Sequence, residues 1–137
     1  MQPTSRRFAP PVVESAQRQL VEFVAANPDV KLAVVTSGDG FEVAAHPHLP
    51  MAQRIAAMSS SLQALSEAMV NETGLAGVRN LVIEANGGTI IVLGVGQLTP
   101  RLSLTVVARG DETLGRLLWA SRECCASVER RLLPALV

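Results

Sequence analysis

The stretch NLVIEANGGTIIVLGVG, Asn80 to Gly96, holds two apolar runs separated by a turn. Leu81-Val82-Ile83 and Ile90-Ile91-Val92-Leu93 are hydrophobic at successive positions, so both faces of each strand are apolar. An antiparallel sheet with one face in water alternates instead. Asn86-Gly87-Gly88 suits the positive φ angles of a tight turn, which joins the runs as an antiparallel hairpin. Helices must then cover both sides of the sheet, giving three layers: helix, sheet, helix.

Reading outward from this hairpin supplies the other elements. Gln97 to Arg101, with Pro100, connects to a further strand, Leu102 to Ala108. A last helix starts near Asp111, a plausible N-cap, and places Leu114, Leu117, Leu118, Ser121, Cys125, Val128 and Leu132 on one face. Upstream, Val13, Ala16, Leu20, Phe23 and Val24 recur at helical spacing between Pro10-Pro11 and Asn27-Pro28. Val30 to Thr36 and the stretch from Phe41 form two strands about Ser37-Gly38-Asp39-Gly40. A second helix runs from near Pro50 to about Glu72, with Gly74 and Gly77 at its exit. The order is α-β-β-α-β-β-β-α, an α+β fold. Residues 1–11 read as a flexible leader and 12–137 as a single domain.

Composition narrows what this domain does. Twelve basic and twelve acidic residues cancel, so no long-range field draws the chain onto nucleic acid. The chain is 48% hydrophobic but only 18% charged, which implies that another chain covers part of its surface. No run approaches the roughly 18 apolar residues of a membrane span or follows Arg6-Arg7 as a signal peptide, so a cytoplasmic location is expected. Cys124 and Cys125 are adjacent, cannot staple distant segments, and read as small apolar residues of a reduced protein.

The second helix carries the partner signal. At about 100° per residue, Met51, Ile55, Met58, Leu62, Leu65 and Met69 form one stripe, which suits packing on the chain's own sheet. The opposite side holds Gln53, Ala57, Ser60, Ala64 and Ala68, and only Arg54, Glu67 and Glu72 are charged. Small side chains admit a second helix at close range. The expected occupant is the same helix of a second copy, antiparallel across a two-fold axis.

Chemical motifs are weak by comparison. Gly38-Asp39-Gly40 leads into a strand rather than a helix, and the only lysine is Lys31, so a phosphate-binding P-loop does not fit. The loop reads as a turn in which Gly38 and Gly40 relax the backbone, Asp39 caps, and Phe41 starts the next strand on the buried side. Gly94-Val95-Gly96 feeds a strand and is no dinucleotide fingerprint. His46 and His48 lack neighbours to complete a metal site, and Ser59-Ser60-Ser61 sits mid-helix without a base. Catalytic, cofactor-binding and metal-ligating residues are therefore all assigned as none. Arg54, Arg79, Arg101, Arg109 and Arg116 are nominal candidates for an arginine finger, which has no local signature. Trp119 lies off the last helix's main stripe and is expected to pack against the first helix, with an exposed anchor as the alternative.

With these segments assembled, the chain resembles a Roadblock domain, the family of Roadblock-type dynein light chains and bacterial MglB-like regulators. VKLAVVTSGDGFEVAA, IAAMSSSLQALSEAM, and VRNLVIEANGGTIIVLGVG followed by LSLTVVARGDETLGRLL carry the likeness over roughly residues 12 to 132. The resemblance implies a five-stranded antiparallel sheet between helices. It implies a homodimer whose third strands pair edge to edge and whose second helices lie side by side. It also implies a non-enzymatic regulator or scaffold of a small Ras-like GTPase, bound through the second-helix surface and promoting GTP hydrolysis by remodelling the GTPase's own site, with no arginine finger. Partner or dimer contacts would fall on Gln53, Arg54, Ala57, Ser60, Ser61, Ala64 and Ala68. The alternative is a PAS-like or profilin-like module that senses a small molecule between sheet and helix.

Overall fold

The computed structural model describes residues 8–96, 101–110 and 113–136. The first seven residues of the expected leader, the connection through Pro100, and the N-cap expected at Asp111 lie outside them. Three helices and five strands follow the expected order: α1 Pro10–Ala26, β1 Val30–Ser37, β2 Glu42–His46, α2 Ala52–Glu72, β3 Asn80–Ala85, β4 Gly88–Gly94, β5 Leu102–Arg109 and α3 Leu114–Leu136. Pro10 and Pro11 occupy the first turn of α1, where their missing N–H groups cost nothing, and Phe8 is buried in the core just ahead of them. Asn27 closes the helix as its side-chain amide donates to the Phe23 carbonyl at 2.9 Å.

All neighbouring strands are antiparallel, in the order β2-β1-β5-β4-β3. Alternation along each strand divides the sheet into two faces. On one, Ala33, Val35, Ile91, Leu93, Leu104 and Val106 meet Val12, Leu20 and Phe23 of α1 and Leu117, Val128 and Leu132 of α3. On the other, Leu32, Val34 and Ala45 meet Ala52 and Ala56 of α2. The successive apolar positions of β1 have helices above and below, whereas of the two runs that implied three layers, Ile90–Leu93 of β4 packs on α3 and Leu81–Ile83 of β3 is only half-buried.

Two turns fix the register. Between β1 and β2, Ser37 Oγ donates to the Asp39 carboxylate at 2.6 Å and accepts the Phe41 N–H at 3.1 Å. The Ser37 N–H reaches the Phe41 carbonyl at 2.9 Å, and Gly40 takes φ of 90°, which a residue with a Cβ resists. Gly38, expected to need the same freedom, does not adopt positive φ; its N–H bonds the Arg101 carbonyl at 3.0 Å instead. Phe41 is only half-buried. Between β3 and β4, a Cβ at Gly88 would run into the Ala108 carbonyl of β5, so glycine there lets the hairpin pack against its neighbour.

The sheet's two edges end differently. At β2, Gln17 of α1 donates through Nε2 to the Ala45 carbonyl at 2.7 Å and accepts the Ala45 N–H at 3.2 Å. At β3, Leu81, Val82 and Ile83 are half-buried, and Glu84 and Ala85 are exposed.

Candidate functional site: the outer surface of the second helix

Small residues form the innermost line by which α2 meets its sheet, with Met51 and Ile55 packed beside them. Its buried residues are Ala52, Ala56 and Ser59, one per turn along a single line. Ser59 and Thr105 of β5 share a buried hydrogen bond of 2.6 Å between their hydroxyl oxygens. Nearby, the buried Thr36 hydroxyl makes no hydrogen bond among the described residues.

The expectation that the Met51–Met69 stripe packs on the chain's own sheet holds for Met51 and Ile55, which pack against the Leu32–Val34 cluster, and is corrected for Met58, Leu65 and Met69. Met58 is 52% exposed, Leu65 62% and Met69 69%, while Met51, Ile55 and Leu62 are partly buried. The apolar stripe is turned away from the sheet by about a quarter turn of the helix. A line of Ala and Ser lets the backbone approach the strands closely, and that close approach selects the contact face over bulk hydrophobicity.

Six of the expected contact residues, Gln53, Arg54, Ala57, Ser61, Ala64 and Ala68, are exposed on α2. Ser60 is half-buried and already engaged, since its hydroxyl donates to the Gly38 carbonyl at 3.0 Å. A Cβ at Gly40 would sit 3.5 Å from that of Ser60 and 3.6 Å from the Cα of Ala57, so the β1–β2 turn abuts this flank. The outer surface of α2 therefore carries two adjoining bands, one of small residues and one of Met58, Leu65 and Met69. Sequence reasoning assigned the second band to the core. The lack of charge around the helix was the signal that could have placed it outside.

Beyond α2 the sheet is thinly covered. Gln63, Ser66 and Glu67 face Leu81, Val92, Gly94 and Arg101 across a narrow cleft. Arg101 reaches Glu67 at 3.0 Å in an exposed ion pair of small energetic weight. Leu75, in the connection to β3, is exposed as well. A second cleft, between β2 and the start of α2, is lined by Glu42, His48, Leu49 and Gln53. Burial raises the Glu42 carboxyl above its ordinary pKa, an effect that neighbouring His48 partly offsets. His46 is half-buried and His48 exposed, and among the described residues no three His, Cys, Asp or Glu side chains cluster as metal ligands.

The remaining candidates lie elsewhere. Arg54, Arg79, Arg101, Arg109 and Arg116 are exposed and scattered over different elements rather than gathered at one point. Trp119 is 66% exposed on α3, the alternative reading, and does not pack against α1 as expected. Cys124 and Cys125 are free and buried, and burial pushes both thiols up to about 12, leaving them poor nucleophiles. No described helix is long and apolar enough to cross a membrane.

Comparison with known proteins places this arrangement. A Roadblock/LC7 domain structure from Streptomyces avermitilis superposes with a TM-score of 0.77 at 24% identity, covering 85% of this chain and 97% of that one. Myxococcus xanthus MglB gives a TM-score of 0.78 at 12% identity, covering 91% and 92%. The gliding protein MglB of Thermus thermophilus gives 0.74 at 18% identity, covering 88% and 90%. At these identities the likeness is one of fold. No curated protein sequence matches. The family model described as the Roadblock/LC7 domain matches residues 16–108, more than half of the chain, and the protein belongs to that family.

Proposed function

We propose that the protein is a non-enzymatic, homodimeric regulator or scaffold of a small Ras-like GTPase. The observation that carries this reading is the outward display of Met58, Leu65 and Met69 on α2, beside a sheet whose β3 edge is exposed. Large side chains left in water on a sparsely charged helix are a surface that gains from being covered. The two adjoining bands divide the work. The apolar band and the β3 edge join a second copy, while Gln53, Arg54, Ala57, Ser61, Ala64 and Ala68 contribute to the joint α2 surface that meets the GTPase. Ser60 supports that surface from beneath, through the β1–β2 turn.

Promotion of hydrolysis, in this reading, would draw on shape rather than on chemistry supplied by this chain. Small side chains and a single arginine offer shape rather than a reactive group, so this protein would act by fixing the position of the GTPase's own catalytic residues. A ligand-sensing role of the PAS or profilin kind would need room between α2 and the sheet. There Leu32, Val34, Ala45, Ala52 and Ala56 pack together and the Ser59–Thr105 bond closes the seam, which favours the regulator.

The deciding experiment recovers partners from the native cell and measures GTP turnover by any small GTPase among them, with and without this protein. Faster turnover that is lost with Ala64→Glu supports activation. Binding without faster turnover leaves a scaffold, and the absence of any GTPase among the partners refutes the proposal.

A further inference from the structure

We infer that Gln17 masks the β2 edge as a strand-docking surface, confining edge-to-edge assembly of this chain to β3. An edge strand presents unpaired N–H and C=O groups that template the addition of another strand. Ala45 lies opposite Val34 in the β1–β2 ladder, and its N–H and C=O are both taken by the Gln17 side chain, at 3.2 and 2.7 Å. A carboxamide offers the same donor and acceptor as a peptide group. Gln17 thus stands where one residue of a sixth strand would stand.

The rest of β2 is consistent with a closed edge. Val43, Ala44 and Ala45 are all buried although the strand has a neighbour on only one side. At the opposite edge, Glu84 and Ala85 are exposed.

The consequence is geometric. Copies that join through one edge about a two-fold axis close as pairs, whereas copies with two open edges extend as a ribbon. Gln17 removes the second edge and makes assembly finite. The ribbon argument rests on the proposed pairing of β3 edges; the masking of β2 does not.

The test is sedimentation velocity of the full chain across a concentration series, comparing wild type with Gln17→Leu, which fills similar space without donor or acceptor. Gln17→Leu should at least double the mass of the wild-type species, with circular dichroism unchanged. A folded Gln17→Leu with wild-type mass at every concentration overturns the inference. If wild type is monomeric, the β3 pairing fails, while a Gln17→Leu that then dimerises still supports the masked edge. Should the variant not fold, amide exchange in wild type decides. Protection of Ala45 by more than about 100-fold over open chain supports the clasp, and exchange at the open-chain rate overturns it.

Discussion

Leu104 and Thr105 are neighbours on β5, yet they hold different halves of the molecule. Leu104 enters the wide core shared with α1 and α3. Thr105 turns the other way and bonds the Ser59 hydroxyl of α2. The first face is sealed by large interlocking side chains, the second by small ones and hydroxyls at close range. A helix seated on Ala52, Ala56 and Ser59 keeps Met58, Leu65 and Met69 for its outer surface. One face secures the domain; the other presents it.

The sharpest way to break this contrast is to remove volume from the wide face. Leu104→Ala should cost about 2–5 kcal/mol in urea unfolding, because the buried site loses its methyl groups and leaves a cavity. A cost below about 1 kcal/mol would mean that the face is not the main store of stability.

The hydroxyl seam gives a smaller, more diagnostic effect. Ser59→Ala should cost about 1–3 kcal/mol, since it leaves the Thr105 hydroxyl buried without its partner, while Ser59→Ala with Thr105→Val should recover most of that loss. Additive costs in the double variant would show that the bond is not what couples α2 to β5.

The smallest effect concerns pH and reports the dryness of the wide face. Cys124 and Cys125 have folded pKa values raised to about 12 from an unfolded value near 9.0. Their contribution is fully present below pH 9 and is lost as pH rises toward 12, because only the unfolded chain releases the protons freely. At pH 10 each thiol should lower stability by about 1 kcal/mol relative to pH 8, and Cys→Ala variants should flatten that slope. Rapid reaction of the native thiols with a maleimide at pH 8 would contradict burial.

The order of elements and the three layers were legible because they depend on local chemistry: turn residues such as Asn86-Gly87, and apolar runs that alternation cannot explain. The orientation of α2 was not. A helical wheel ranks faces by hydrophobicity, whereas contact here is chosen by how closely Ala52, Ala56 and Ser59 let the backbones approach. The same ranking favoured burial of Trp119, whose size suggested packing that the structure does not provide. Six of the seven residues expected at the contact surface are exposed and Ser60 is half-buried, while the exposed Met58, Leu65 and Met69 had been assigned to the core. The Gln17–Ala45 clasp joins residues 28 apart through a side-chain amide and a backbone, a pairing with no sequence pattern to announce it.

β1 divides the two faces, with Leu32 and Val34 on one and Ala33 and Val35 on the other, all fully buried. The arrangement that lets one strand serve both layers makes LAVVT, residues 32–36, the segment with most to hide during synthesis and refolding. It is short, uncharged and rich in β-branched residues, the composition of an amyloid-forming segment when left unpaired. Lys31, the chain's only lysine and exposed at its threshold, sets a charge beside that segment, the placement by which flanking residues oppose misassembly of unavoidable hydrophobic strands.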